Sequence, residues 1–453
     1  MSGSNQLWTS AALAPESNNL LEQVVDRRNM VSACRRVVQN GGSPGVDGMK
    51  AEDLWVWLQR NHDMLAKRLL EGSYRPQPVR LAEIEKPGGG KRGLGIPTVV
   101  DRMIQQAMHQ VLNLLFDPEF SESSFGYRKG RSAEQAVLQA QRYMQEGKRW
   151  VVDVDLSKFF DEVNHDVLMA KIKRKVTDKR MLKLIDRYLR TGIMQGGVAS
   201  PRKQGTPQGS PLSPLLSNIL LNELDKELER RGHSFCRYAD DFVILVKSEK
   251  AAGRVFDSVV DYIEKKLKLR INRSKSQITT YHRLTFLGFG FLPGDQARLK
   301  VPKEIQKRFR KKAKQLFRMG RGRNLRRFIN DTLNPFLRGW ATYYRLCKIK
   351  KTVEELDSWI RRRLRLVTWR QWKRPYTRYK RLVTAGLDRD RAWKSAYNGR
   401  GPWWNSGASH MNHALPISLF AGLGLVSLRQ LMLQTDSLLV FGTAVYGTVR
   451  TVV

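Results

Sequence analysis

Hydrophobic and polar residues alternate in some stretches of this chain and recur at helical spacing in others. In the segment Trp150–Leu156 (WVVDVDL), alternation predicts a strand with apolar side chains on one face and Asp153 and Asp155 on the other. Further along, the β-rich runs SFCR and FVILV flank the sequence YADD. This arrangement predicts a β-hairpin with Asp240 and Asp241 at its tip.

The same patterns divide the chain into consecutive blocks. Residues 1–75 favour helices, interrupted by a glycine-rich loop at 41–48. The block 76–299 mixes short β-rich runs with helical segments, which is an α+β pattern. Residues 300–365 predict basic helices, and residues 366–430 form a basic region rich in tryptophan.

Composition restricts the class of protein. The chain has 453 residues, 41% of them apolar, which is enough for more than one hydrophobic core. Its 81 Lys and Arg residues exceed its 42 Asp and Glu residues, so the formal net charge is +39. So large a charge repels itself in the folded state and favours a polyanionic partner, with nucleic acid the first candidate and an anionic membrane surface the second.

Cysteine content and hydropathy indicate the compartment. The three cysteines, Cys34, Cys236 and Cys347, are widely spaced, which excludes a disulfide framework and a structural zinc site built on cysteine pairs. We therefore expect a reducing, cytoplasmic location. The N-terminus has no secretory pattern, and charged residues and glycines interrupt the apolar stretch 414–453, so we expect no membrane partner.

The positive charge is concentrated in one segment. Residues 301–400 contain 31 Lys and Arg against 7 Asp and Glu, a net charge of +24. Seven of the 11 tryptophans lie in this segment or just after it: Trp340, Trp359, Trp369, Trp372, Trp393, Trp403 and Trp404. We expect most of these side chains to be core, with a helix break at Pro375. Because cations neutralise phosphates and flat aromatic side chains stack on unpaired bases, the segment as a whole predicts a nucleic-acid clamp.

The acidic pairs predict metal chemistry. Carboxylates held together at a hairpin tip repel one another, and a bound cation would relieve that repulsion. Oxygen ligands suit Mg²⁺, and two such ions about 4 Å apart can activate an attacking hydroxyl and stabilise a leaving oxygen in phosphoryl transfer. An isolated Asp-Asp pair is also typical of a solvated turn. The surrounding segments decide between these interpretations.

Those segments resemble the palm of a reverse transcriptase. The palm-like motifs are, in chain order, DVDLSKFFD (153–161), QGTPQGSPLSPLLSN (204–218) and YADD (238–241). Flanking motifs extend the resemblance to the fingers (75–107 and 123–136), to the end of the palm (INRSKSQ and FLGFGF) and to a maturase or thumb motif (LNPFLRGWATYYRL, 333–346). Together they resemble the group II intron reverse transcriptase/maturase family.

The resemblance implies a right-hand polymerase fold of the α+β class with a helical thumb. Its implied regions are an N-terminal extension (1–75), fingers and palm (76–299), a thumb or maturase domain (300–365), a DNA-binding region (366–430) and a tail of unknown role (431–453). The implied cofactors are two Mg²⁺ ions, for which Mn²⁺ can substitute. The implied partners are an RNA template, expected to be intron RNA, a DNA primer or target DNA, and deoxynucleoside triphosphates (dNTPs).

Matching positions imply roles for individual residues in catalysis and metal binding. Asp155 and Asp240 match the metal-binding catalytic pair, and Asp241 matches the third acid. The backbone carbonyl of Leu156 matches a supplementary metal ligand. Phe160 matches the aromatic residue beneath the incoming sugar, which would clash with a 2′-hydroxyl and so select deoxynucleotides.

Other matching positions imply a nucleotide-binding site. Lys86 and Arg92 match the fingers pair that grips the triphosphate. Gln208 and Gly209 match the segment that supports the nucleotide and the template. Lys275 matches a palm lysine near the phosphates, although an ordinary surface lysine fits this position as well.

Several functions remain open at this point. With few cysteines and little length for a C-terminal nuclease domain, the chain resembles the compact, endonuclease-free class of bacterial intron proteins. The leading hypothesis is a reverse transcriptase that also binds intron RNA, assists splicing and mobility, and associates with the nucleoid or a ribonucleoprotein. The alternatives are a free-standing relative recruited to DNA repair or phage defence, and a non-catalytic RNA chaperone. The intact set of acids argues against the chaperone.

Overall fold

The computed structural model of the protein describes residues 18–85, 91–195, 198–200, 204–206 and 209–438. These residues form two units: unit 1 extends to Leu284, and unit 2 begins at Thr285. Each unit has its own helices and at least one antiparallel sheet. The mixture of helices and antiparallel strands confirms the predicted α+β class.

Unit 1 is largely helical, and several of its helices begin after a residue whose side chain caps the first turn. Thr98 and Ser248 accept hydrogen bonds from backbone N–H groups in the first turns of the helices Val99–Phe116 and Glu249–Lys265, as good N-cap residues do. The α-helices described in unit 1 are α1 (Leu20–Val25), α2 (Arg27–Asn40), α3 (Leu54–Leu70), α4 (Val99–Phe116), α5 (Ala133–Gln145), α6 (Phe159–Glu162), α7 (His165–Lys173), α8 (Lys179–Arg190), α9 (Ser213–Arg230) and α10 (Glu249–Lys265).

The strands of unit 1 form two four-stranded sheets. One has the order β2-β1-β4-β5, and the other has the order β6-β7-β3-β8. The strands are β1 (Val79–Glu85), β2 (Lys91–Ile96), β3 (Trp150–Val154), β4 (Ile193–Gln195), β5 (Val198–Ser200), β6 (Ser234–Tyr238), β7 (Asp241–Val246) and β8 (Gln277–Thr280). In the second sheet β3 lies between β7 and β8, and both pairings are antiparallel.

A buried helix supports the second sheet. Helix α9 packs against β6, α4 and α7, and many of its residues are buried, including Leu220, Leu221 and Leu224. On the strands, Val152 and Ile244 are paired and fully buried. This apolar packing fixes the register of β3 and β7, because a slip of one residue would turn the buried side chains to the other face.

Unit 2 begins with a small sheet and continues as helices. Its strands, in the sheet order β11-β10-β9, are β9 (Thr285–Phe286), β10 (Phe289–Phe291) and β11 (Leu299–Lys300). Its described helices are α11 (Lys303–Met319), α12 (Leu325–Arg327), α13 (Asn334–Tyr343), α14 (Lys350–Gln371), α15 (Pro375–Thr384), α16 (Arg389–Ala396), α17 (Pro402–Gly407), α18 (Ser409–Ala414), α19 (Ile417–Gly422) and α20 (Leu428–Leu438), with a π-helical turn at Phe328–Leu333.

Local sequence signals account for several of these boundaries. The glycine-rich stretch 41–48 separates α2 from α3, as predicted. Helix α14 ends at Gln371 and α15 begins at Pro375, which confirms the predicted break. Proline is favourable there because the first helical residue needs no N–H partner within the helix.

A buried carboxylate ties the last described helix of unit 2 to its longest helix. Asp357 on α14 accepts hydrogen bonds from the Ser427 hydroxyl at 2.6 Å and from the Leu428 and Arg429 N–H groups at 2.9 and 3.2 Å. These donors lie at the start of α20, so Asp357 caps that helix from a distant position in the chain. None of the described helices combines the length and the apolarity that crossing a bilayer requires.

Candidate active site

Strands β3 and β7 bring two of the predicted acids to one end of their sheet. The last pair in the antiparallel register is Val154 with Phe242, and extending it by one residue brings Asp155 opposite Asp241. Residues directly opposite one another in an antiparallel pair have Cβ atoms about 4.5–5.5 Å apart, with side chains on the same face. The carboxylates of Asp155 and Asp241 therefore face a common space.

The predicted hairpin is present, with a turn of two residues. Tyr238 pairs directly with Asp241, so Ala239 and Asp240 form the turn and Asp241 is the first residue of β7. Ala239 has a φ of 59°, in the left-handed region. That conformation costs a residue with a Cβ atom about 1–2 kcal/mol, so neighbouring groups must hold the turn in place.

A buried arginine holds the turn from below. The Arg237 side chain is 0% exposed and forms a two-pronged ion pair with Asp225, with N···O distances of 2.7 and 2.5 Å. It also donates to the Asn218 side chain at 2.9 Å, the Ser124 hydroxyl at 2.7 Å and the Ala239 carbonyl at 3.0 Å. All five guanidinium N–H groups thus have acceptors. Burial raises the pKa of Asp225, and the positive charge of Arg237 opposes that shift.

A glycine lets another segment approach the same turn. A Cβ atom on Gly126 would lie 2.8 Å from the carbonyl carbon of Tyr238, which is closer than such contacts allow. The Gly126 carbonyl accepts a hydrogen bond from the Asn218 amide at 2.9 Å. Because Asn218 also contacts Arg237, a single polar network joins the Gly126 backbone to the hairpin turn.

The segment 271–277 supports Asp155 on its other side. The Asp155 N–H donates to the Ser276 hydroxyl at 3.0 Å, and the Asn272 N–H donates to the Asp155 carbonyl at 2.8 Å. Lys275 lies in the same segment, with its Nζ atom 3.8 Å from Oδ2 of Asp155. An exposed pair of this kind contributes little stability, but it shows that Lys275 reaches the acids.

The acids perturb one another electrostatically. Desolvation raises the pKa of Asp241 to about 6, although the residue still reaches solvent. The negative charges of Asp240 and Asp155 add to this shift, and that of Asp153 adds less. Lys275 opposes it. A carboxyl group whose ionisation is opposed by two neighbouring carboxylates is a favourable place for a cation.

Asp153 differs from the other acids in its contacts. Burial raises its pKa, and the Gln277 amide donates to its Oδ2 atom at 3.3 Å. Gln277 is the first residue of β8, so this hydrogen bond links neighbouring strands. These contacts make Asp153 part of the connection between β3 and β8.

Leu156 and Phe160 are buried residues that follow β3, and Phe160 lies in the short helix α6. Leu156 is 6% exposed and pairs with Ile271 in a single antiparallel bridge. Phe160 is 7% exposed, and its ring contacts that of Phe159 edge to face at a centroid distance of 5.2 Å. The Phe160 carbonyl accepts a hydrogen bond from the Thr206 N–H at 2.6 Å, which ties α6 to a residue shortly before Gly209.

The predicted nucleotide-binding residues are described only in part. Gly209 has a φ of 109°, and a Cβ atom there would lie 2.9 Å from the Gly95 carbonyl oxygen of β2. Only glycine meets both conditions. Arg92 lies on β2, paired with Ile84, but its side chain is outside the described part of the structure. Lys86 and Gln208 lie outside the described residues altogether.

The donor chemistry at the strand ends fits a hard divalent cation. Carboxylate oxygens are ligands that Mg²⁺ accepts, and the raised pKa of Asp241 reflects negative charge that such an ion would neutralise. Among the described residues, however, no group of three or more His, Cys, Asp or Glu side chains is arranged to hold a metal ion. The metal assignment therefore rests on the acids' proximity and charge.

Sequence reasoning missed the residues that position the acids. Arg237, Asp225 and Gly126 have no role among the predicted site residues, yet they fix the turn that carries Asp240. One signal was present, because Arg237 interrupts an otherwise apolar strand immediately before YADD. A charged residue in a buried strand requires a partner, although the sequence does not say which one.

The tryptophans of unit 2 correct one expectation. We expected most of the seven in the basic region to be core, but only Trp369 is buried, at 1% exposed. The exposed tryptophans are Trp393, Trp403 and Trp404. Helical periodicity could not reveal this, because it identifies residues on one face without showing whether another element covers that face.

Part of the exposed aromatic surface forms a continuous row. The rings of Tyr376 and Tyr379 stack at 6.1 Å, Tyr379 meets Trp393 edge to face at 5.4 Å, and Trp393 stacks on Tyr397 at 4.2 Å. The Lys380 ammonium lies 4.8 Å from the Tyr376 ring centroid. Solvent-facing rings beside cations are a surface on which unpaired bases can stack.

Two family models match the chain. The model described as reverse transcriptase (RNA-dependent DNA polymerase) matches residues 84–291. The model described as group II intron, maturase-specific domain, matches residues 306–386. The first match includes all of the predicted acids, and the second covers α11 to α15 of the basic region.

Individual proteins are similar over different lengths. Protein YkfC of Escherichia coli (strain K12) is 32% identical over 60% of this chain and 82% of its own length. The group II intron-encoded protein LtrA of Lactococcus lactis subsp. cremoris is 36% identical over 32% of this chain, and the match spans only 24% of LtrA. A chain of a partial Cas6-RT-Cas1–Cas2 complex matches 54% of this chain and 42% of its own length, at 25% identity and a TM-score of 0.35.

The buried ion pair gives a stability prediction. Replacing Arg237 with Lys keeps the charge but removes the two-pronged geometry and leaves buried acceptors without donors. We expect Arg237→Lys to lower the free energy of unfolding by on the order of 2–3 kcal/mol, measured by urea denaturation. Arg270→Lys, at a side chain that is 78% exposed, is the matched control and should stay within about 0.5 kcal/mol of the original. Equal losses in the two variants would contradict the role of the network.

The pKa of Asp241 gives a prediction for pH. An unperturbed Asp titrates near 3.8, whereas Asp241 titrates at about 6. Between these values the folded chain binds more protons than the unfolded chain, so the free energy of unfolding falls as pH rises. Without divalent ions, Asp241→Asn should therefore be more stable than the original above pH 6.

The difference in stability should shrink as the pH falls toward 3.8, and thermal melting across this range measures it. Asp257→Asn, at an exposed acid on α10, controls for the loss of one negative charge. A stability gain in Asp241→Asn that does not change with pH would contradict the electrostatic account.

Proposed function

The chain belongs to the family of group II intron reverse transcriptases and maturases, and we propose that Asp155, Asp240 and Asp241 carry its RNA-directed DNA polymerase reaction. The main support is the register of β3 and β7. When it is extended by one residue, Asp155 comes opposite Asp241, next to the turn residue Asp240. The rise in the pKa of Asp241 supports it as well, because Asp240 and Asp155 both contribute to that rise.

We assign the metal ligands to the same strand ends. Reverse transcriptases use divalent metal ions, and here the ligands are the three carboxylates with the backbone carbonyl of Leu156. Two bound Mg²⁺ ions, for which Mn²⁺ could substitute, would activate the primer 3′-hydroxyl and stabilise the leaving pyrophosphate oxygen. The protein's part is to hold the carboxylates in fixed positions: the Arg237 network fixes the turn, and Ser276 and Asn272 fix the Asp155 backbone.

Other residues bind and select the nucleotide. Lys86 and Arg92 grip the triphosphate, Gln208 supports the nucleotide, and Gly209 lets the backbone approach it closely. Lys275 adds positive charge beside Asp155, where the phosphates arrive. For Gly209 the support is its positive φ against β2, the strand that carries Arg92.

Phe160 excludes ribonucleotides from the same site. Its backbone is tied to Thr206 and its ring packs against Phe159, so the side chain has little freedom to move away from a 2′-hydroxyl. A rigid aromatic wall discriminates by steric clash, and in a hydrophobic pocket a difference of one methylene group changes selectivity by about 10- to 200-fold.

RNA and DNA are the substrates of the two matched domains. More specifically, the basic helices of unit 2 bind intron RNA within a ribonucleoprotein and so assist splicing and mobility. A DNA primer or target and dNTPs serve the polymerase site. The match at 306–386 and the +24 charge of residues 301–400 support this assignment. No observation on this chain favours the repair, defence or chaperone alternatives.

The metal assignment gives a prediction for catalysis. Asp240→Asn keeps the size of the side chain but removes a charged ligand, so we expect cDNA synthesis on an RNA template with a DNA primer to fall by about a thousandfold or more. RNA affinity should be retained, because it depends on the basic region. Asp257→Asn is the control and should polymerise normally. Substantial primer extension by Asp240→Asn would contradict the assignment.

The sugar-selection role of Phe160 gives a second prediction. Phe160→Ala should lower the preference for a dNTP over the matching ribonucleotide by about tenfold or more in single-nucleotide primer extension, because the wall against the 2′-hydroxyl is removed. Phe159→Ala, at the neighbouring buried ring, tests whether disturbed packing alone has this effect. If both variants keep the original preference, Phe160 does not select the sugar.

A further inference from the structure

A strongly basic cavity lies between helices α11 and α14 of unit 2. Its volume is about 250 Å³. Its charged lining residues are Lys314 and Arg318 on α11, Arg321 in the following turn, and Arg363 and Arg370 on α14. Among the described residues that line this cavity there is no acid.

These five cations have no counter-ions within the described part of unit 2. Two acids of the same helices pair with other cations: Glu304 with Lys307 at 3.4 Å, and Glu354 with Arg429 at 3.2 Å. Like charges gathered around a small space repel one another and destabilise the folded chain unless an anion enters. The cavity therefore has a strong electrostatic preference for an anionic ligand.

The cavity is formed in advance by rigid packing. Phe317 in its wall is 4% exposed, and its ring lies 6.2 Å from that of Trp359. The Gln371 amide donates to the carbonyls of Arg321 and Arg323 at 3.2 and 3.0 Å, which ties the turn after α11 to the end of α14. A binding site shaped before its ligand arrives loses little entropy on binding.

Arg363 is held in place while part of its hydrogen-bonding capacity is unused. Its guanidinium carbon lies 5.1 Å from the Trp359 ring centroid and 4.5 Å from that of Trp403. Its Nε atom is shielded from solvent and has no hydrogen-bond acceptor. Because Arg363 lines the cavity, these two rings hold its guanidinium at the wall where a ligand would bind.

We propose that this cavity binds closely spaced phosphate groups of a folded RNA backbone. The proposal rests on the proposed function, because it names the contact by which the maturase-like unit grips RNA. Arginine binds phosphate through paired N–H groups, and four of the five cations are arginines. Five cations around about 250 Å³ suit phosphates brought together by folding better than the evenly spaced phosphates of a relaxed strand.

The test compares two double variants with equal loss of charge. Arg318→Gln/Arg370→Gln removes one exposed cation from each helix at the cavity. Arg308→Gln/Lys351→Gln removes one exposed cation from each of the same helices outside it. Because all four positions are exposed, both variants should fold, and circular dichroism of the full chain checks this.

The probes are inorganic tripolyphosphate, a folded transfer RNA, and an oligouridylate of the same length. Tripolyphosphate should raise the melting temperature of the original chain and the control but not of the cavity variant. Affinity for the folded RNA should fall about tenfold in the cavity variant and about two- to threefold in the control at equal salt. Affinity for oligouridylate should fall equally in both. The charge-retaining variant Arg318→Lys/Arg370→Lys should restore part of the folded-RNA affinity.

Three other results would contradict the proposal or the function on which it rests. If only the tripolyphosphate effect is lost, the cavity binds free oligophosphates and the RNA assignment is wrong. If both double variants respond alike to every probe, the cavity does not bind phosphate groups. Primer extension by the original chain is measured in the same preparations. Failure of that reaction would count against the proposed function, whereas equal RNA affinities with an active polymerase would count against the cavity alone.

Discussion

The candidate active site depends on one buried guanidinium. Arg237 has no exposed surface and satisfies all five of its N–H groups within the protein, including a two-pronged pair with Asp225 and a hydrogen bond to the Ala239 carbonyl. The hydrogen bond to Ala239 holds this residue in its left-handed backbone conformation, within the turn that also contains Asp240. The repulsion among the acids would otherwise favour their separation, so the buried pair opposes a force that the site itself creates.

Local features of the sequence predicted local structure well. The YADD hairpin, the loop at 41–48 and the helix break at Pro375 were all predictable, because turn residues, glycine and proline act within a few positions. The α+β class followed from the same patterns. The catalytic roles of Asp155, Asp240 and Asp241 came from the resemblance to reverse transcriptases. They stay predictions, which the proximity of the three acids supports.

Long-range contacts could not be predicted in this way. The partner of Arg237 is a helix residue 12 positions earlier, and the third segment at the turn meets it through Gly126. Neither contact follows from spacing, since each depends on how α9 and the loop that contains Gly126 pack on β6. The exposure of Trp393 and Trp403 was missed for the same reason: periodicity cannot show which faces remain uncovered.

Both units carry charge that their own side chains leave unbalanced. In unit 1, carboxylates crowd a strand end strongly enough to raise the pKa of Asp241 to about 6. In unit 2, cations surround a cavity lined by no acid among the described residues. The first arrangement suits divalent cations and the second suits phosphates, the two charged components of nucleic-acid polymerisation.

The central claim is that Asp155, Asp240 and Asp241 converge on divalent ions at a primer end. Anomalous diffraction from crystals grown with Mn²⁺, a template–primer duplex and a non-hydrolysable dNTP tests it most directly. The account predicts two manganese peaks about 4 Å apart, bounded by these three carboxylates and the Leu156 carbonyl. Crystals with ordered substrate but no manganese at these residues, or with the three side chains directed apart, would contradict it.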